Sequence, residues 1–167
     1  MELLKFIEDA FHARVRPPAV IAVDQPATEL RSDALAVACS DWRELTCDML
    51  DKYPDCVHGF SPTAFCYFLP GIFSAGIRER RADLLVNHSL ITGLDRSNSP
   101  ASWDDFFRAR WPRLTPSECE AAQRWILWLE EFEPAPIADA SLSRAYDTLE
   151  TLANQRIATP IADRSPR

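Results

Sequence analysis

Glycine is scarce in this chain, with four among 167 residues. Few glycines mean few tight positive-φ turns and few bare backbone cradles for phosphate. Histidine is scarcer still, and His12, His58 and His88 sit in no recognisable catalytic motif. The sequence holds no GxSxG, P-loop, GxGxxG or HExxH pattern and no CxxC pair, which argues against the common hydrolases, nucleotide enzymes and zinc sites. No cofactor signature is present. Apolar runs around 64–77 and 84–94 are interrupted and too short to span a bilayer. The opening "MELLKFIEDAFHARVR" mixes charges of both signs with helically spaced apolar residues, unlike a signal peptide. No internal repeat is found.

What the chain does have is an ordinary globular balance, 47% apolar and 26% charged. Its length fits one domain that buries most of its apolar surface. The thirteen prolines fall mostly between apolar segments, where they start or stop helices. Net charge is −7 and unevenly spread: residues 41–55 carry five acids against two bases, and residues 115–150 carry eight against two. Such a surface repels phosphate backbones, so nucleic acid is an unfavourable partner, whereas a basic protein is a favourable one. Five cysteines, several inside apolar stretches, read as reduced core thiols of a cytoplasmic protein.

Periodicity predicts an all-α, single-domain bundle of about six to seven helices over 1–157, followed by a flexible tail at 158–167. Leu3, Leu4, Ile7, Ala10 and Phe11 mark the inner face of a first helix, ended by Pro17 and Pro18. "AVIAV" (19–23) is the one strand-like run, and "DQPATELRSD" reads mainly as a connection, with Ser32 or Asp33 able to cap a short helix. Asp41 and Glu44 have the capping-box form for a helix that buries Trp42, Leu45, Met49 and Leu50 and stops at Pro54. Ser61-Pro62 starts "PTAFCYFLPGIF", which is apolar nearly all the way round and therefore belongs at the centre of the bundle. Pro70 should kink it at a cost of ~3 kcal/mol, outweighed by burying five large side chains at ~1.5–3 kcal/mol each. Further helices follow at 81–94, closed by Gly93, and after Ser102–Asp105. The clearest lies at 114–132, with the Thr115/Glu118 box and a stripe of Ala121, Ala122, Trp125, Trp128, Leu129 and Phe132. A last helix at 139–157 turns Leu142, Tyr146, Leu149, Leu152 and Ala153 inward.

Two sets of acids are the candidate partner-binding residues: Asp48, Asp51 and Asp55, and Glu130, Glu131 and Glu133. The aspartates could line one face of a predicted helix end, though Pro54 breaks the register, and the glutamates follow a predicted last turn; carboxylates there oppose the macrodipole and so do not serve stability. Solvation is the plain reading of both, and a contact patch for lysines or arginines the sharper one. An exposed tryptophan beside them would mark an anchor. "RERR" (78–81) reads as a solvated helix end or turn. A second class of reading is a metal or enzyme centre on Cys47, Cys56, His58 and Cys66; a third is a homo-oligomeric structural or regulatory domain.

The order "DWREL", "SPTAFCYFLPGIF", "LTPSECEAAQ" resembles a bacterial family of small α-helical proteins of unknown function. Its pattern runs D-W-x-x-[LI], then [ST]-P-x-A-[FW]-x-[YF]-[YF]-[LI]-P, then L-[TS]-x-x-[QE]. The resemblance spans about 1–133 and leaves the last helix as an addition. It implies structural roles for Ser61, Phe65, Tyr67, Leu69 and Pro70, and an accessory protein of bacterial cytoplasm. By analogy with small acidic proteins of that kind, it implies an immunity protein that covers the active site of a toxin.

Overall fold

The computed structural model describes residues 2–21, 28–97, 99–132 and 136–158, with side chains described as far as 155. The chain is all-α. Nine α-helices occur among the described residues: α1 (Glu2–Phe11), α2 (Glu29–Val37), α3 (Cys47–Lys52), α4 (Cys56–Gly59), α5 (Pro62–Glu79), α6 (Leu85–Leu94), α7 (Asp105–Arg110), α8 (Pro116–Glu130) and α9 (Asp139–Ala158). Three 3-10 turns join them at Trp42–Glu44, Pro100–Ser102 and Trp111–Arg113. Helix α9 runs to Ala158, the first residue of the expected tail, and the rest of that tail, 159–167, lies outside the described residues.

The expected six to seven helices become nine because short segments break. The region 41–53 is two pieces. Asp41 and Glu44 do form the capping box, but on the 3-10 turn. Leu45 and Thr46 are then extended, and the Thr46 hydroxyl caps α3 by accepting from Met49 N. A separate turn of helix, α4, follows Pro54. Helix α2 begins at Glu29 with Thr28 at its N-cap, four residues before the expected Ser32 or Asp33, so half of "DQPATELRSD" is helical. The helix expected from 81 begins at Leu85, because residues 80–84 form the turn that ends α5. The strand-like "AVIAV" makes a single antiparallel bridge, Ile21 to Phe60, and 22–23 lie outside the described residues.

Helix α5 organises the packing. Ser61 caps it by accepting from Ala64 N, Pro62 takes the first turn, and the helix continues through Pro70 to Glu79. Every residue from Ala64 to Gly76 is buried. Its end is closed by Arg80 in the left-handed region (φ 53°), with Arg81 N donating to Gly76 O at 2.9 Å. That geometry usually calls on glycine. Glycine is used elsewhere for close approach: a Cβ on Gly71 would lie 2.2 Å from Trp42 O, and one on Gly59 2.0 Å from Leu30 O. The 3-10 turn and α2 therefore rest directly on the backbones of α5 and α4.

Around α5 the buried apolar residues form one continuous cluster, from Ile7 and Phe11 of α1 to Leu149 and Leu152 of α9. All five tryptophans belong to it. Phe73 stacks on Trp125 with centroids 4.4 Å apart, and Phe60 on Phe68 at 4.7 Å. Among the described residues no helix is long and apolar enough to cross a membrane.

Candidate functional site

The first set of acids does not form a row. Asp48 stands in the first turn of α3, not at a helix C-terminus, so its carboxylate complements the dipole there. It is exposed and makes no ion pair among the described residues. Asp51, one turn on, accepts from Arg81 Nη1 at 2.8 Å, and Arg81 also holds Asp83. Asp55 is half-buried ahead of α4, its backbone N donating to Asp33 Oδ2 at 3.4 Å.

The second set is more open. Glu130 ends α8 and Glu131 is its C-cap residue. Both are exposed, and neither is ion-paired among the described residues; Glu133 lies outside them. Beside them Leu127 is 47% exposed, at the edge of a groove of about 350 Å³ between α1 and α8, lined also by Glu2, Leu3, Trp128 and Glu131. Arg124, on the same rim, is bound to Glu120 at 2.6 Å and lies over the Phe6 ring. Because every tryptophan is buried, the exposed apolar anchor is this leucine. The sequence did carry a signal for it: Leu127 falls outside the 121, 122, 125, 128, 129 stripe, so an apolar side chain there must point away from the core.

Both sets border the same end of α5. Glu79 Oε1 accepts from Cys47 N of α3 at 3.0 Å, while Gly76 lies against the Trp128 ring of α8. The "RERR" turn sits between them and is more engaged than a solvated turn. Arg78 donates to Leu45 O at 2.6 Å, Arg80 stands over the Phe132 ring, and Arg81 reaches Asp51.

The thiols and His58 are not gathered. Cys47 is tied to Glu79, thirteen residues along α5 from Cys66, which puts the two cysteines about 20 Å apart at 1.5 Å per residue. Cys66 faces Arg110 O, with Sγ 3.7 Å away. Burial is the main reason their thiols resist ionisation, Cys47 and Cys56 being pushed up to about 12 and Cys66 to about 11. Thiols held protonated are poor nucleophiles and poor metal ligands. Among the described residues no three His, Cys, Asp or Glu side chains converge as a metal site. His58 instead packs near Phe106 (5.8 Å between rings) at the mouth of a cleft of about 170 Å³. There Arg96 and Asp104 pair at 2.5 Å, and Asp104 also caps α7 by accepting from Phe107 N.

A polar seam with a structural role lies on the opposite side of the 3-10 turn. Tyr67 donates to Asp41 Oδ2 at 2.6 Å. Burial, helped by that carboxylate, pushes the phenol up to about 12. Compared with protein families, characterised proteins and solved structures, the chain matches none.

Proposed function

We propose that this is a cytoplasmic binding protein of the immunity or antitoxin kind, which neutralises a toxin by covering its active site. The observation that carries the reading is Leu127, an exposed apolar side chain on a groove edged by Glu2 and Glu131, with Glu130 beside it and neither α8 glutamate ion-paired among the described residues. An apolar centre with a charged rim is the usual anatomy of a protein interface. Carboxylates on that rim match lysines and arginines that would otherwise hold a toxin's anionic substrate, so occlusion and charge pairing act together. Glu130, Glu131 and Asp48 are the foremost contact acids, and Glu133 continues the α8 set. Asp51 and Asp55 are secondary, Asp51 because binding must compete with Arg81 and Asp55 because it is half-buried. In this reading α5, bent at Pro70, is a rigid support with no chemistry of its own.

The test is retrieval of the tagged protein from its own cells, followed by affinity measurement on whatever co-elutes in stoichiometric amount. A basic partner with a toxin activity that this chain inhibits is expected. Leu127→Asp, at the apolar centre, should weaken binding by ~2 kcal/mol or more, and Glu131→Ala and Asp48→Ala, on the rim, should act mainly on the association rate and its salt dependence. Recovery of the protein alone, or a partner bound equally well by all three variants, overturns the assignment. A self-associated species in a size measurement would replace it with the oligomeric reading.

A further inference from the structure

On the face formed by α1, the 3-10 turn and α5, the charge pattern of this acidic protein reverses. A pocket of about 310 Å³ opens there, lined by Lys5, Glu8, Trp42, Arg43, Ser74 and Arg78 among others. Three cations face one carboxylate, in a chain whose net charge is −7. The volume is at the lower end of the ~300–1,000 Å³ typical of small-molecule sites.

The donors differ in how far they are already used. Arg78 is anchored by one N–H, which donates to Leu45 O at 2.6 Å, while its guanidinium has five. Arg43 lies over the Trp42 ring, 4.3 Å from its centroid, and makes only long, exposed contacts with Asp41 (3.4 Å) and Glu8 (3.6 Å). Lys5 is exposed and has no ion-pair partner among the described residues. Ser74 is 4% exposed and carries a hydroxyl on the helix wall. Trp42 is 2% exposed, and its indole N–H meets no acceptor among the described residues.

From this arrangement we infer that the pocket is a binding site for the oxyanion group, carboxylate or phosphate, of a small molecule. The Arg78 fork is held in place by the Leu45 carbonyl and offers paired donors to an oxyanion, a geometry Lys cannot supply. Lys5 and Arg43 stand at the opening and draw the anion in against the negative field of the rest of the surface. The Trp42 ring backs the pocket, and the Ser74 hydroxyl, which can donate or accept, adds a neutral polar group on the helix wall. The site is separate from the groove at Leu127 and does not depend on the immunity reading.

The experiment is a titration of the ¹⁵N-labelled protein, at constant ionic strength set by potassium chloride, with inorganic phosphate in one series and acetate in another. The readout is the Trp42 indole N–H resonance, assigned by its loss in Trp42→Phe. A saturable shift is expected with at least one anion. Lys5→Ala and Arg43→Ala, both at exposed positions, should each weaken it by about fivefold or more, as loss of one charge-assisted contact does. Lys52→Ala, on α3, should leave it unchanged. Preference for phosphate identifies a phosphate ester as the ligand class and preference for acetate a carboxylic acid; either supports the site. No saturable shift with both anions, or a shift that Lys5→Ala and Arg43→Ala leave intact, overturns it.

Discussion

Two arginine–carboxylate pairs tie distant parts of the chain together, both through a two-pronged fork, and they differ in how deeply they are buried. At the α1–α8 corner Arg14 grips both oxygens of Glu118, each at 2.6 Å. The carboxylate is 3% exposed and its partner 23%. Glu118 also accepts from Thr115 N at 2.7 Å, and Arg14 donates to Arg113 O at 2.8 Å. At the other corner Arg144 of α9 likewise reaches both oxygens of Asp95, just past α6, at 2.5 and 2.8 Å, but with 53% and 22% exposure. Similar distances carry unequal consequences. Removing one member of a desolvated, hydrogen-bonded pair strands the other, whereas an exposed pair returns to water. The hydrogen bonds that Arg14 donates to Glu118 raise the Arg14 pKa, in keeping with a charge that is held; Arg144 is raised the same way by donating to Asp95, but where solvent can replace its partner.

Three substitutions sharpen or break that contrast. Glu118→Ala removes the carboxylate from under Arg14 and from Thr115 N together. A loss of about 3 kcal/mol is expected. In a domain of this size that is roughly 6–12 °C in Tm by calorimetry. A loss below about 1 kcal/mol would place the pair with ordinary surface contacts. Thr115→Ala leaves the pair but removes the hydroxyl that accepts from Glu118 N, the reciprocal half of the box. It should cost about 1 kcal/mol, as N-cap losses do. Arg144→Ala should lower Tm only slightly in physiological salt, and a drop comparable to that of Glu118→Ala would abolish the distinction. The same pair is acid-sensitive. The Arg144 hydrogen bond holds the Asp95 carboxyl below the ordinary aspartate range, so its contribution is present above that range and is lost as pH falls through the lowered value.

Much of the fold was legible because its signals are local. The caps at Asp41, Ser61 and Thr115 all function as side-chain acceptors, and the α8 stripe is buried from Ala121 to Leu129. What local pattern could not show was where tertiary contacts overrule it. Leu45 and Thr46 leave the helix although nothing in "WRELTCDML" forbids it; Arg78, thirty-three residues on, binds the Leu45 carbonyl and holds the break. Helix α2 starts early because Leu30 and Ala34 pack on Gly59. For the candidate site, the exposure of Glu130 and Glu131 was legible, as was the polar character of the 41–55 acids. Arg81 capturing Asp51 was not, because a pair thirty residues apart leaves no periodic trace. The basic pocket was hidden for the same reason: Lys5, Arg43 and Arg78 come from three elements, and each reads alone as a solvated charge.

The Arg14–Glu118 clasp also bears on the order in which the chain can be made. One hundred and four residues separate its members, and α1 packs on α8. A chain emerging from the ribosome presents α1 well before α8, and cannot bury Ile7 and Phe11 fully until α8 has followed. Closing so long a loop is slow compared with forming the helices it joins. For that interval the nascent protein carries an amphipathic helix that only α5 can cover, and only in part. It is then most open to a chaperone, and most at risk of pairing with another copy of itself.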